Sequence, residues 1–214
     1  MNDGPPPSVK YWMDYPATVQ SARSLAIVAA FSALIVGSNL LLADLPGVKL
    51  LDTLVFVAAF LFGFRVGGSV AVVSELAWSF ISPWGVAGYI TPLLVLGELI
   101  YALAGWAASR VWSGYVRPGS MDGFFIGAVL AICAFIWDIE TNIGTAFIAF
   151  GQTVTMEKII STELLGTPFM LFHELSDFLL GAYLAPVVIL LVPRVLRLEL
   201  RSRIGGEGGR GLQE

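Results

Sequence analysis

Leu54-Val55-Phe56-Val57-Ala58-Ala59-Phe60-Leu61-Phe62-Gly63-Phe64-Arg65-Val66-Gly67-Gly68 decides the fold class. Nine uncharged apolar residues, Leu54 to Phe62, run into glycines that permit a tight reversal, and one arginine marks the reversal. Apolar residues then resume. Two antiparallel membrane helices joined by a short turn give this pattern; a soluble hairpin would carry more charge.

The rest of the chain agrees. Hydrophobic residues make up 57% of the 214 residues and charged ones 13%, where a soluble domain has about a quarter charged. Mean hydropathy is +0.80. A span needs about 20 apolar residues, and the pattern predicts six, at 24–42, 49–64, 66–82, 89–109, 122–149 and 167–193. The fold expected is therefore an all-α integral membrane bundle of six helices. Residues 1–23 form a cytoplasmic lead, 24–193 the membrane domain, and 194–214 a basic, then Gly-rich tail expected to be disordered. The second segment is short, with Lys49 and Asp52 near its start. Ser82-Pro83-Trp84-Gly85 reads as a turn with an interfacial tryptophan, and 150–166 as the longest polar connection. The first apolar run follows a polar, proline-containing lead and no cleavage pattern, so it is expected to be retained. There is no internal repeat of the kind that inverted-repeat carriers show.

Orientation follows from the basic residues. With the N-terminus inside, Lys10, Arg23, Arg65, Arg110, Arg117, Arg194, Arg197, Arg201, Arg203 and Arg210 fall on the cytoplasmic side, and only Lys49 and Lys158 outside. Both termini are then cytoplasmic.

Ionisable residues inside a membrane are costly and face the bundle interior. The candidates are Glu75, Glu98, Asp138, Glu140, His173, Glu174 and Asp177. Asp138 lies ~24 Å along the fifth segment at 1.5 Å per residue, past the midplane. His173 and Asp177 fall in the first turns of the sixth, and Asn39 near the outer end of the first. The polar set is thus biased to the outer half, as in a cup open to the outside. Helical spacing puts His173 with Asp177, Asp138 with Asn142, and Glu75 with Trp78 on shared faces. Asp138 and Glu140 point apart. Each position also has a plainer reading: His173–Asp177 and Asp138–Asn142 as bonds between helices, Glu98 as a neighbour of a Gly97 packing contact, Trp84 and Tyr89 as interfacial anchors. Six acids with no embedded lysine or arginine hint at a cationic or amine-bearing ligand.

The first segment carries Ala22, Ala26 and Ala30 at four-residue spacing, with Ala29 and Ala33 beside them. Small residues so spaced let another helix approach closely.

Taken in order, the 54–67 stretch, Ser82-Pro83-Trp84-Gly85, Trp137-Asp138-Ile139-Glu140-Thr141-Asn142, Gly166-Thr167-Pro168-Phe169 leading to His173-Glu174-Leu175-Ser176-Asp177, and the paired alanines resemble the S components of energy-coupling factor (ECF) transporters. Where many such proteins have asparagine four residues after the histidine, this chain has Asp177. The resemblance implies an outward-facing site for a vitamin or similar small micronutrient. Residues expected to contribute are Asn39, Glu75, Trp78, Trp84, Tyr89, Glu98, Asp138, Asn142, His173 and Asp177. It implies a transmembrane coupling subunit, docked on Ala26, Ala29, Ala30 and Ala33, and two cytoplasmic ATPases that use ATP. The chain has no phosphate loop, and no cofactor, metal or nucleic-acid partner of its own is expected. The competing classes are a stand-alone ion-coupled carrier and an intramembrane enzyme. The enzyme reading lacks H-E-x-x-H, because position 177 is not histidine, and also lacks G-x-S-x-G.

Overall fold

A computed structural model describes residues 17–45, 47–112 and 116–195. Most of the expected N-terminal lead and the tail from residue 196 on lie outside the described residues. Within them the chain is all helical. The elements are α1 (Ala17–Leu41), α2 (Leu51–Phe62), α3 (Phe64–Ile81), α4 (Thr91–Val111), α5 (Met121–Phe150), α6 (Met156–Leu179) and α7 (Ala185–Val195). A π-turn, Leu180–Leu184, joins α6 to α7 in one continuous rod. Five stretches are long and apolar enough to cross a membrane, and the rod is one of them. The chain is a multi-pass membrane protein.

Successive helices from α1 to α6 run antiparallel and α7 prolongs α6, so the bundle has two faces. The upper face carries residues 42–45 and 47–50 and the connections 82–90 and 151–155; the lower carries Gly63, residues 116–120 and the end of α7. Arg23, Arg65, Arg110 and Arg117 lie toward the lower face, Lys49 and Lys158 toward the upper.

α2 is the axis. It packs against α1, α3, α4 and α7. Every residue from Leu51 to Leu61 is buried, as expected of a helix that is apolar all round. Its 12 residues cover only about 18 Å, so it starts below the upper ends of its neighbours. The 42–50 connection dips in to meet it: Asn39 accepts from the Leu50 amide at 3.2 Å, and Ser176 donates to the Gly47 carbonyl at 2.8 Å. Gly47 has φ +76°, and a side chain there would press on the backbone of Phe172 and His173. α2 ends at Gly63, whose φ of +85° reverses the chain straight into α3. α3 stops at Ser82, held extended by the following Pro83.

The expected polar connection at 150–166 is corrected by the structure. Only Gly151–Val154 and the cap Thr155 separate α5 from α6. Thr155 accepts from the Lys158 amide at 3.4 Å, and Glu157 stands in the first turn, a cap and a charge that both favour a helix start. The polarity of 156–163 therefore marks an exposed helix, not a loop. α5 and α6 form a hairpin that rises beyond the upper ends of α3 and α4.

The π-turn has a traceable cause. Pro186 has no N–H to give the Ala182 carbonyl four residues earlier. That carbonyl accepts instead from the Gly119 amide at 3.1 Å, tying the rod to the start of α5. Close by, Gly127 and Gly181 face each other so tightly that a β-carbon on Gly181 would lie 2.8 Å from the Gly127 Cα. On the other side of α2, Gly105 of α4 sits directly on the Phe56 carbonyl.

Candidate functional site

The dip of the 42–50 connection carries Lys49 and Asp52 to the depth of the ionisable residues on α4, α5 and α6. His173 is the centre. Its Nδ1 is 3.1 Å from Asp138 Oδ2, and its Nε2 is 3.3 Å from Asp52 Oδ2 and 3.9 Å from Asp177 Oδ2. Tyr101 donates to the same Asp177 oxygen at 2.8 Å. Trp137 closes one side, edge-on to the His173 ring at 5.3 Å between centroids. Gly97 leaves room for that indole, since a β-carbon there would strike it.

The site is closed. Asp52, Glu98 and Asp177 are 0% exposed and His173 is 3% exposed. Lys49 Nζ lies 3.9 Å from Asp52 Oδ1 and 4.3 Å from the Trp137 ring centroid. Glu98 lies against the Asp52 carboxyl, close enough to share a proton with it, and no other group bonds its oxygens. Asp177 Oδ1 lacks a hydrogen-bond partner. Glu75 accepts from Ser79 at 3.1 Å. The cluster thus holds five carboxyl groups, those of Asp52, Glu75, Glu98, Asp138 and Asp177, against Lys49 and His173. Unpaired charge is too expensive to leave in such a place. Protons or a bound cation must make up the difference.

The expected site residues divide. Glu98, Asp138, His173 and Asp177 come together in the cluster, with Glu75 close by. Trp78 is half-buried against the core. Asn39 is buried but serves to pin the 42–50 connection. Asn142 lies in the hairpin above the cluster and donates to Glu163 Oε2 at 3.1 Å, the bond between helices that was its plainer reading. Trp84 and Tyr89 are 71% and 90% exposed, on the upper connection. Glu140 is half-buried.

Asp52, Lys49 and Tyr101 were not among the expected site residues. Tyr101 could have been found one turn after Glu98. The length of segment two was the signal for Asp52: an apolar helix too short to span must start below the surface. Ala26, Ala29, Ala30 and Ala33 are all exposed on α1, away from the cluster. Compared with protein-family models, with curated proteins and with solved structures, the chain matches none.

Proposed function

We propose that this chain is the substrate-binding membrane subunit of an ECF-type importer, taking a cationic or amine-bearing micronutrient from the outside and performing no chemistry itself. The observation that carries the reading is the placement of the buried ionisable groups. Among the described residues they all lie in the upper part of the bundle, around the start of α2, and the buried groups of the lower part are uncharged. With the basic lower face inside the cell, the excess of carboxylates lies buried on the outer side of the bundle and suits a positively charged ligand. The 42–50 connection then acts as the cover through which the ligand enters. The exposed alanine stripe of α1 is the proposed seat of the coupling subunit, and that subunit brings the two ATPases.

A second reading, a stand-alone ion-coupled carrier, is favoured by the buried Glu98–Asp52 carboxyl pair, since membrane carboxylates that exchange protons or ions are recurrent coupling groups. One experiment separates the two. Uptake of whatever small molecule co-purifies, identified by mass spectrometry, is measured in cells with and without co-expressed coupling and ATPase subunits. Dependence on those subunits is expected. Uptake by the chain alone in vesicles with an ion gradient would replace the first reading by the second. Orientation is tested by single cysteines: Glu157→Cys and Ser161→Cys label with an impermeant reagent from outside, Pro118→Cys does not.

A further inference from the structure

The cluster has the form of a metal site. Asp52, His173 and Asp177 each offer one ligand atom, and these atoms lie within 4.8 Å of one another. The spacing suits a small ion. Two ligands each ~2.1 Å from a metal stand about 3.4 Å apart at the tetrahedral angle. The Nε2–Asp52 and Nε2–Asp177 separations are 3.3 and 3.9 Å.

Three further features point at an ion rather than at helix-to-helix glue. Asp138 holds the other ring nitrogen, the carboxylate–histidine arrangement that orients a ligating imidazole, and a metal would take the place of the proton that Nε2 shares with Asp52. Asp177, fully buried, keeps one oxygen without a hydrogen bond. Glu98, also fully buried, holds its carboxyl against that of Asp52, and so is a ready fourth ligand once the proton the two share is lost. A fully satisfied structural network would have supplied a donor to Asp177 Oδ1.

We infer that Asp52, His173 and Asp177, with Glu98 as a fourth ligand and Asp138 as the group that orients the histidine, form a binding site for one divalent first-row transition-metal ion. One imidazole nitrogen among carboxylate oxygens suits Mn²⁺ to Zn²⁺, and the absence of thiolate from this set argues against Cu⁺. The ligand atoms lie close enough together for one bare ion to touch all three. Lys49 stands at the Asp52 Oδ1 side as a competing positive charge. This departs from the sequence expectation of no metal, and it holds whether or not the chain belongs to an importer.

The test uses the full chain, purified in detergent and stripped with a chelator, titrated with Co²⁺ alone and followed by visible absorption and calorimetry. Saturation at a single equivalent is expected, with a spectrum distinct from that of the aquo ion and a raised melting temperature. Asp138→Asn should weaken binding roughly 10- to 100-fold. Asp52→Asn, Asp177→Asn and His173→Gln should each weaken it more. Glu140→Gln, off the cluster, should bind as wild type. Should the ligand variants fail to fold, X-ray absorption on Co²⁺-loaded wild type decides: one imidazole nitrogen in an otherwise oxygen shell supports the site, and a shell without imidazole overturns it. No stoichiometric binding of Co²⁺, Mn²⁺, Ni²⁺ or Zn²⁺ by monodisperse wild type, or equal binding by Asp52→Asn and Asp177→Asn, also overturns it. None of these failures touches the subunit-dependence of uptake, which is measured separately.

Discussion

The upper and lower parts of the bundle are held together in opposite ways. Around the start of α2, charged groups from four helices and one connection converge on His173, and cohesion there comes from charge balance. Lower down, Gly105 meets Phe56, Gly67 meets Ala59, and Gly127 meets Gly181, so cohesion comes from backbones in near contact. Lipid tails are as apolar as leucine, and burying leucines gives helices in a bilayer little reason to associate. The two devices seen here are those that remain: close packing of small residues, and polar groups with nowhere else to go. The lower part should resist any added volume; the upper should resist any change of charge.

That contrast can be broken by substitution. The largest effect is expected from His173→Ala. It leaves Asp52 and Asp138 without their shared partner, and removing one member of a buried charged set costs about 3–5 kcal/mol. Thermal unfolding in detergent should show it, with His173→Gln recovering part of the loss. Next comes Gly105→Ala, whose methyl would strike the Phe56 carbonyl; overpacking of this kind costs about 1–3 kcal/mol. It should lower the melting temperature while leaving Co²⁺ binding at one equivalent. Loss of binding together with stability would mean that the two parts act as one. Asn142→Ala removes the bond to Glu163 from a half-buried site above the cluster, for about 1 kcal/mol, with ion affinity unchanged. Smallest of all, Ala30→Trp on the exposed face of α1 should alter the stability of the isolated chain by less than about 0.5 kcal/mol. In co-purification it should weaken assembly with a coupling subunit. A large loss of intrinsic stability would place that face inside the bundle.

The membrane character was legible in the sequence, as was the shared face of His173 and Asp177, because apolar length and four-residue spacing are properties of a single helix; the meeting of His173 with Asp138 on another helix was not. Nor was the depth of Asp52. It depends on how far the 42–50 connection sinks, and that is set by Asn39, Gly47 and Ser176 from elsewhere in the chain. Trp84 and Tyr89 look the same in sequence whether an upper turn folds over a site or away from it. The start of α6 was misread for a different reason. Polarity was taken as a loop signal, although Thr155 and Glu157 form a helix start.

One consequence of α2 concerns how the chain enters the membrane. A 12-residue segment is too short to be held in a bilayer about 30 Å thick on its own. During synthesis it therefore cannot be released into lipid as an independent unit. It must wait beside α3, joined through Gly63, and partition together with it. With these two elements crossing as a pair, α1 starts and α7 ends at the same face of the bundle, whereas five independent spans would put them at opposite faces.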